Sequence, residues 1–82
     1  MTTKEMVIEI LKHHSCQTAF QIKGCIYRKF NENVTPQAVS RVMRPLVAKG
    51  YAGKGTHPES NKSVYWLSDF GKETLEKKGD LN

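Results

Sequence analysis

TPQAVSRVMRPLVAKGY, residues 35–51, contains every signal a helix needs to start, bury one side and stop. Thr35 has a side-chain oxygen that accepts from a free N–H of the first turn. Pro36, at the first helical position, gives up a donor that would be unpaired there anyway. Val39, Val42, Met43, Leu46 and Val47 recur at three- and four-residue intervals, which makes one continuous buried stripe. Gly50 supplies the left-handed residue that ends the helix. At 100° per residue the opposite face carries Gln37, Ser40, Arg41, Arg44 and Ala48: two arginines, two hydrogen-bonding residues and no acid. Pro45 runs against this pattern. Inside a helix it removes the bond to the Arg41 carbonyl, at a cost of ~3 kcal/mol. The apolar stripe keeps its phase to Val47, so a kink is expected rather than a break.

Upstream, Thr2 and Glu5 have capping-box spacing, and Met6, Val7, Ile10 and Leu11 follow at helical intervals, predicting a first helix over residues 3–14. His14 falls on its apolar stripe and reads as a partly buried histidine. Ser15-Cys16-Gln17 is a short break able to pair as a minimal strand. Thr18 and Gln21 form a second capping box, and the helix behind it runs to Phe30. Ile22, Cys25, Ile26 and Phe30 lie along one side, with Phe20, Gly24 and Tyr27 on the other. A helix apolar on two faces is expected to lie between neighbours. Core packing is the commoner fate of Phe20, Tyr27, Val64 and Trp66, a dimer surface the rarer one.

Downstream, residues 51–56 and 63–67 read as two strands of a hairpin, the second strongly and the first weakly because of Gly53 and Gly55. His57 to Lys62 is a polar turn, long enough to project. Ser68 caps a last short helix with Asp69 and Glu73 early, Lys77 and Lys78 late, and Gly79 as its terminator. One domain over residues 1–79 with a frayed tail at 80–82 is the expected organisation, since 82 residues hold too little apolar surface for two.

Charge is unevenly placed. The formal net charge of +5 is the sum of a neutral segment 1–18, a slightly acidic segment 68–82 and a strongly basic middle. That middle holds Lys23, Arg28, Lys29, Arg41, Arg44, Lys49, Lys54 and Lys62 against only Glu32 and Glu59. Such segregation is expected where one surface faces a polyanion. No apolar run is long enough to span a bilayer, and no basic start leads into an apolar run, so a cytoplasmic location with no membrane partner is expected. Cys16 and Cys25 are then expected to remain thiols. The spacing of His13, His14 and Cys16 gives no tetrahedral set, so no metal site is expected. Lys54 between glycines lacks the spacing of a phosphate loop, and no acid–base or nucleophile–base set is visible. Neither catalysis nor a cofactor is expected.

Two segments add a resemblance. TPQAVSRVMRPLVAKGY resembles the recognition-helix segment of MarR- and PadR-type regulators, with a Ser-Arg pair mid-helix and a close of Leu, a basic residue, Gly and an apolar residue. VYWLSDFGKETLEKK, residues 64–78, resembles the segment in those families where a Tyr-x-Leu strand passes through Ser or Thr into a helix with an early Gly. Its strand is also similar to that of the very small winged-helix regulators of fimbrial operons. The resemblance implies an α+β winged helix-turn-helix: a three-helix core, a two- to three-stranded antiparallel wing sheet and a short C-terminal helix. It further implies double-stranded DNA as the partner, with the third helix in the major groove and the 54–62 wing on the backbone. Carried over position by position, Gln37, Ser40 and Arg41 would read base edges. Thr18, Gln21, Arg44, Lys54 and Lys62 would hold phosphates. Pro45 departs from the pattern, and the chain carries none of the long extra helices with which MarR-type proteins dimerise, so a homodimer stays open. By analogy, compact unadorned domains of this kind are frequent in phages and plasmids. A winged helix used for protein–protein contact is the alternative function, and RNA binding a third that would need exposed aromatic platforms.

Overall fold

Each of the three long helices begins at a threonine whose hydroxyl accepts a backbone N–H. Thr2 caps α1 (Thr3–His13), Thr18 caps α2 (Ala19–Phe30) and Thr35 caps α3 (Pro36–Ala48). In the first two the box closes reciprocally: Glu5 and Gln21 accept the N–H of Thr2 and Thr18 at 2.7 and 2.9 Å. That N–H, with the Thr2 side chain, holds the Glu5 carboxyl below its ordinary pKa. The computed structural model describes residues 1–14 and 16–78, with residues 75–78 by backbone alone. Ser15, Gly79 as the expected helix terminator and the expected 80–82 tail therefore lie outside the described residues.

The helix ends follow from residue type as well. Asn31 closes α2 in the left-handed conformation, φ 56°, which asparagine tolerates better than most residues. Gly50, φ 83°, follows α3. Its N–H goes to Val47 and that of Tyr51 to Leu46, so two end carbonyls are satisfied as in a Schellman motif. Helix α3 runs unbroken through Pro45, which is exposed.

Helices α1, α2 and α3 pack against one another pairwise. Val7, Ile10, Leu11, Ile22, Ile26, Val39 and Met43 fill their common centre, and Ala52, Tyr65 and Leu67 close it from the sheet. That sheet is antiparallel in the order β1 (Gln17–Thr18), β3 (Ser63–Leu67), β2 (Ala52–Thr56). Gln17 and Lys54 both pair with Tyr65, so these three side chains share one face. On the other face Trp66 lies flat over Gly53 and Gly55, and a side chain at Gly53 would collide with the indole. The glycines that weaken β2 by propensity are the space the tryptophan occupies.

Helix α4 (Asp69–Lys78) is stapled to the end of α3. The Ser68 hydroxyl donates to the Gly50 carbonyl at 2.7 Å and accepts the Gly71 N–H at 2.9 Å, while the Ser68 N–H reaches the Tyr51 carbonyl. The rings of Tyr51 and Phe70 stack at 5.3 Å.

Three expectations need correction. The short strand lies at Gln17–Thr18. His14 is exposed because α1 ends at His13 and the extended His14 backbone takes its side chain off the stripe. The second apolar side of α2 is not sandwiched: Phe20 is 68% and Tyr27 55% exposed. α1 and α3 both cover its Ile22–Ile26 side, and among the described residues nothing covers Phe20 and Tyr27 to the same extent. Of the other two candidates for a dimer surface, Val64 is buried and Trp66 half-buried over the β2 glycines.

Candidate nucleic-acid interface

Helix α3 turns Val39, Met43 and Leu46 into the core, and helical phase then carries Gln37, Ser40, Arg41 and Arg44 outward. Gln37, Arg41 and Arg44 are exposed and Ser40 half-buried. With Pro36 these four line one shallow concavity of about 410 Å³. A second concavity of similar size adjoins it, lined by Ser40, Arg44 and Val47 of α3 and by Lys54, Ser63 and Tyr65 of the sheet. Ser40 and Arg44 belong to both, so the helix face and Lys54 form one continuous surface. Lys62 is exposed in the wing turn beyond it.

That turn is held from inside. His57 accepts the N–H groups of Glu59 and Ser60 on Nδ1, at 3.2 and 3.3 Å, and its own N–H goes to the Lys62 carbonyl. Asn61 adopts φ 61°. His57 is thus committed to shaping the turn.

The electrostatics divide the surface. Glu9 on α1 gathers Lys12 at 3.9 Å, His13 at 3.5 Å and Lys29 at 4.0 Å. Lys23 donates to Asn33 at 3.4 Å, and Arg28 contacts the Cys25 sulfur at 3.4 Å. Arg41, Arg44, Lys54 and Lys62, in contrast, make no ion pair with any described residue. No carboxylate of a described residue lines either concavity on α3. Four of the cations without an ionic partner thus gather on α3 and the wing.

Thr18 and Gln21 lie elsewhere, at the start of α2. Their capping box satisfies two of the N–H groups expected to meet a phosphate. Gln21 lines a separate concavity with Phe20, Gly24 and Arg28. Sequence reasoning missed Ser63 and Tyr65. Period-2 alternation puts both on one face of β3, but only the pairing of Tyr65 with Lys54 brings them beside α3.

Cys16 and Cys25 are free thiols, the first exposed and the second buried. Among the described residues no three His, Cys, Asp or Glu side chains converge as a metal site, and no helix is long and apolar enough to cross a membrane.

No known protein family matches the chain by sequence, and neither does any curated protein. Its three-dimensional form is similar to solved structures. Two mutant forms of the winged-helix protein ZitR from Lactococcus lactis each superpose with a TM-score of 0.65 at 14% sequence identity. The match covers 96% of this chain and 51% of ZitR, so the chain spans about half the length of that protein. The fold is a winged helix, with α2 and α3 as the helix-turn-helix and β2–β3 as the wing.

Proposed function

We propose that this chain binds double-stranded DNA as a transcriptional regulator, with α3 in the major groove and the 54–62 wing on the backbone. The observation that carries this reading is the outer face of α3: Arg41 and Arg44 stand exposed, with neither an ionic partner nor an acid beside them among the described residues. Arginine grips guanine and glutamine grips adenine bidentately, so Arg41 and Gln37, with Ser40, are the base readers. Arg44, Lys54 and Lys62 neutralise phosphates. Thr18 and Gln21 add a contact through the Thr18 hydroxyl, the Gln21 amide and the N–H groups left in the first turn of α2. The fold shared with ZitR supports the docking geometry, since a winged helix presents this helix and this hairpin together.

A fluorescence-anisotropy titration with duplex DNA at rising salt tests the proposal. Wild-type affinity should fall steeply with salt. Arg44→Ala should lower the salt slope by about one, and Arg41→Ala should relax base preference by roughly 1–3 kcal/mol at one position. Unchanged affinity and slope in the double variant would remove the assignment.

A second reading, a protein-contact module, is favoured by the exposed Phe20 and Tyr27 on α2. It requires weak or no duplex binding at moderate salt. The same two residues are the surface on which a homodimer would form.

A further inference from the structure

We infer that the cleft between α3 and the wing sheet is a seat for one tetrahedral oxyanion, held by Ser40, Arg44, Lys54, Ser63 and Tyr65. Its walls follow from two registers. Ser40, Arg44 and Val47 are spaced by four and three residues, so they form one line along α3. Lys54 and Tyr65 are direct cross-strand partners, and Ser63 is two residues from Tyr65, so all three occupy one face of the sheet. That face carries Ala52 and Leu67 into the core. Towards the wing tip, where it passes the end of the core, it meets the Ser40–Val47 line as an open cleft.

The chemistry of the lining selects the ligand. Two cations and three hydroxyls, and no carboxylate, are the polar groups that the described residues bring to this cleft. Neither Arg44 nor Lys54 has an ionic partner among the described residues. Tyr65 is only 6% exposed, yet its hydroxyl bonds to no described residue. No buried side-chain polar atom of a described residue lacks a partner, so this hydroxyl is one that reaches solvent. A largely buried phenol thus lines a cationic cleft, its oxygen without a partner among the described residues. Hydroxyl and cationic donors lining one cleft match the several acceptor oxygens of a phosphate better than the edge of a base pair, which mixes donors with acceptors.

The inference deepens the duplex-binding reading and rests on it only for the source of the anion. On DNA, a backbone phosphate in this seat would set how deeply α3 enters the groove, because both walls are regular structure. Ser63 and Tyr65 then act as positioning residues. Ser40 moves from base contact to phosphate contact. A free phosphate is the other source.

Two measurements on the full chain decide the matter, with Tyr65→Phe and Ser63→Ala as variants and their thermal midpoints as the check on folding. In the first, each variant should weaken duplex binding roughly two- to tenfold, equally for preferred and random duplexes, with the salt slope unchanged because no charge is lost. In the second, inorganic phosphate is titrated against chloride of equal ionic strength while amide NMR shifts are recorded. Saturable movement at Ser40, Arg44, Lys54 and Ser63, reduced in both variants, supports the seat even if duplex DNA does not bind at all; the anion is then free phosphate and the regulatory reading fails alone. Wild-type duplex affinity in both variants overturns the seat while leaving DNA binding intact. Absence of both duplex binding and phosphate shifts overturns it as well.

Discussion

Gly71 has the least room of the described glycines. A methyl there would run into the Tyr51 carbonyl, which is backbone and already accepts the Ser68 N–H. The early glycine of the last helix is therefore a packing requirement: α4 approaches the end of α3 too closely for any side chain. Gly71→Ala should lower stability by about 1–3 kcal/mol, as overpacking against rigid backbone does, and reduce the melting temperature followed by circular dichroism. Trp66 shows the same logic in reverse. Gly53 reads as a poor strand residue because its compensation comes from a tryptophan on the neighbouring strand, thirteen positions away in sequence. His14 shows how a residue leaves its expected face once the helix carrying it has ended.

At the scale of elements, α3 combines the clearest local signals with the clearest local conflict. Its cap, stripe and stop all stand where the sequence puts them, and it continues through Pro45. Pro45 leaves the Arg41 carbonyl without its usual donor, yet the next residues, Leu46 and Val47, pack against the core and hold the last turn in place. Pro45→Ala restores that donor. It should raise stability by about 1–2 kcal/mol, the helix gain being reduced by the greater freedom of the unfolded chain, and a higher urea midpoint would report it. Helix α2 makes the opposite point. Its two apolar sides look alike in sequence, but one is 0% exposed at Ile22 and Ile26 and the other bears Phe20 and Tyr27 in the open. The wing turn depends on His57, whose ring nitrogen closes it from within.

For the molecule as a whole, the division of α2 and of charge gives two different surfaces: a cationic side on α3 and the wing, and an aromatic side on α2. Only the core should matter for stability. Phe20→Ser with Tyr27→Ser should leave the melting temperature within a degree or two of wild type, as surface changes do. Ile26→Ala should cost about 2–5 kcal/mol, since its side chain is fully enclosed. If the aromatic side joins two copies, the double serine variant will turn a dimer into a monomer by light scattering; a wild-type chain that is already monomeric assigns that side to another partner or to none. What the sequence determined unaided is whatever depends on near neighbours along the chain. Threonine caps, the valine–methionine stripe of α3, Gly50 as a stop and the Ser63–Leu67 strand are settled within a turn or two of backbone, so local spacing states them. What tertiary structure alone decided is whatever depends on distant segments meeting. The covered side of α2, the indole over Gly53 and the joining of Tyr65 and Lys54 to the arginine face of α3 are consequences of packing and strand register, which no local pattern encodes.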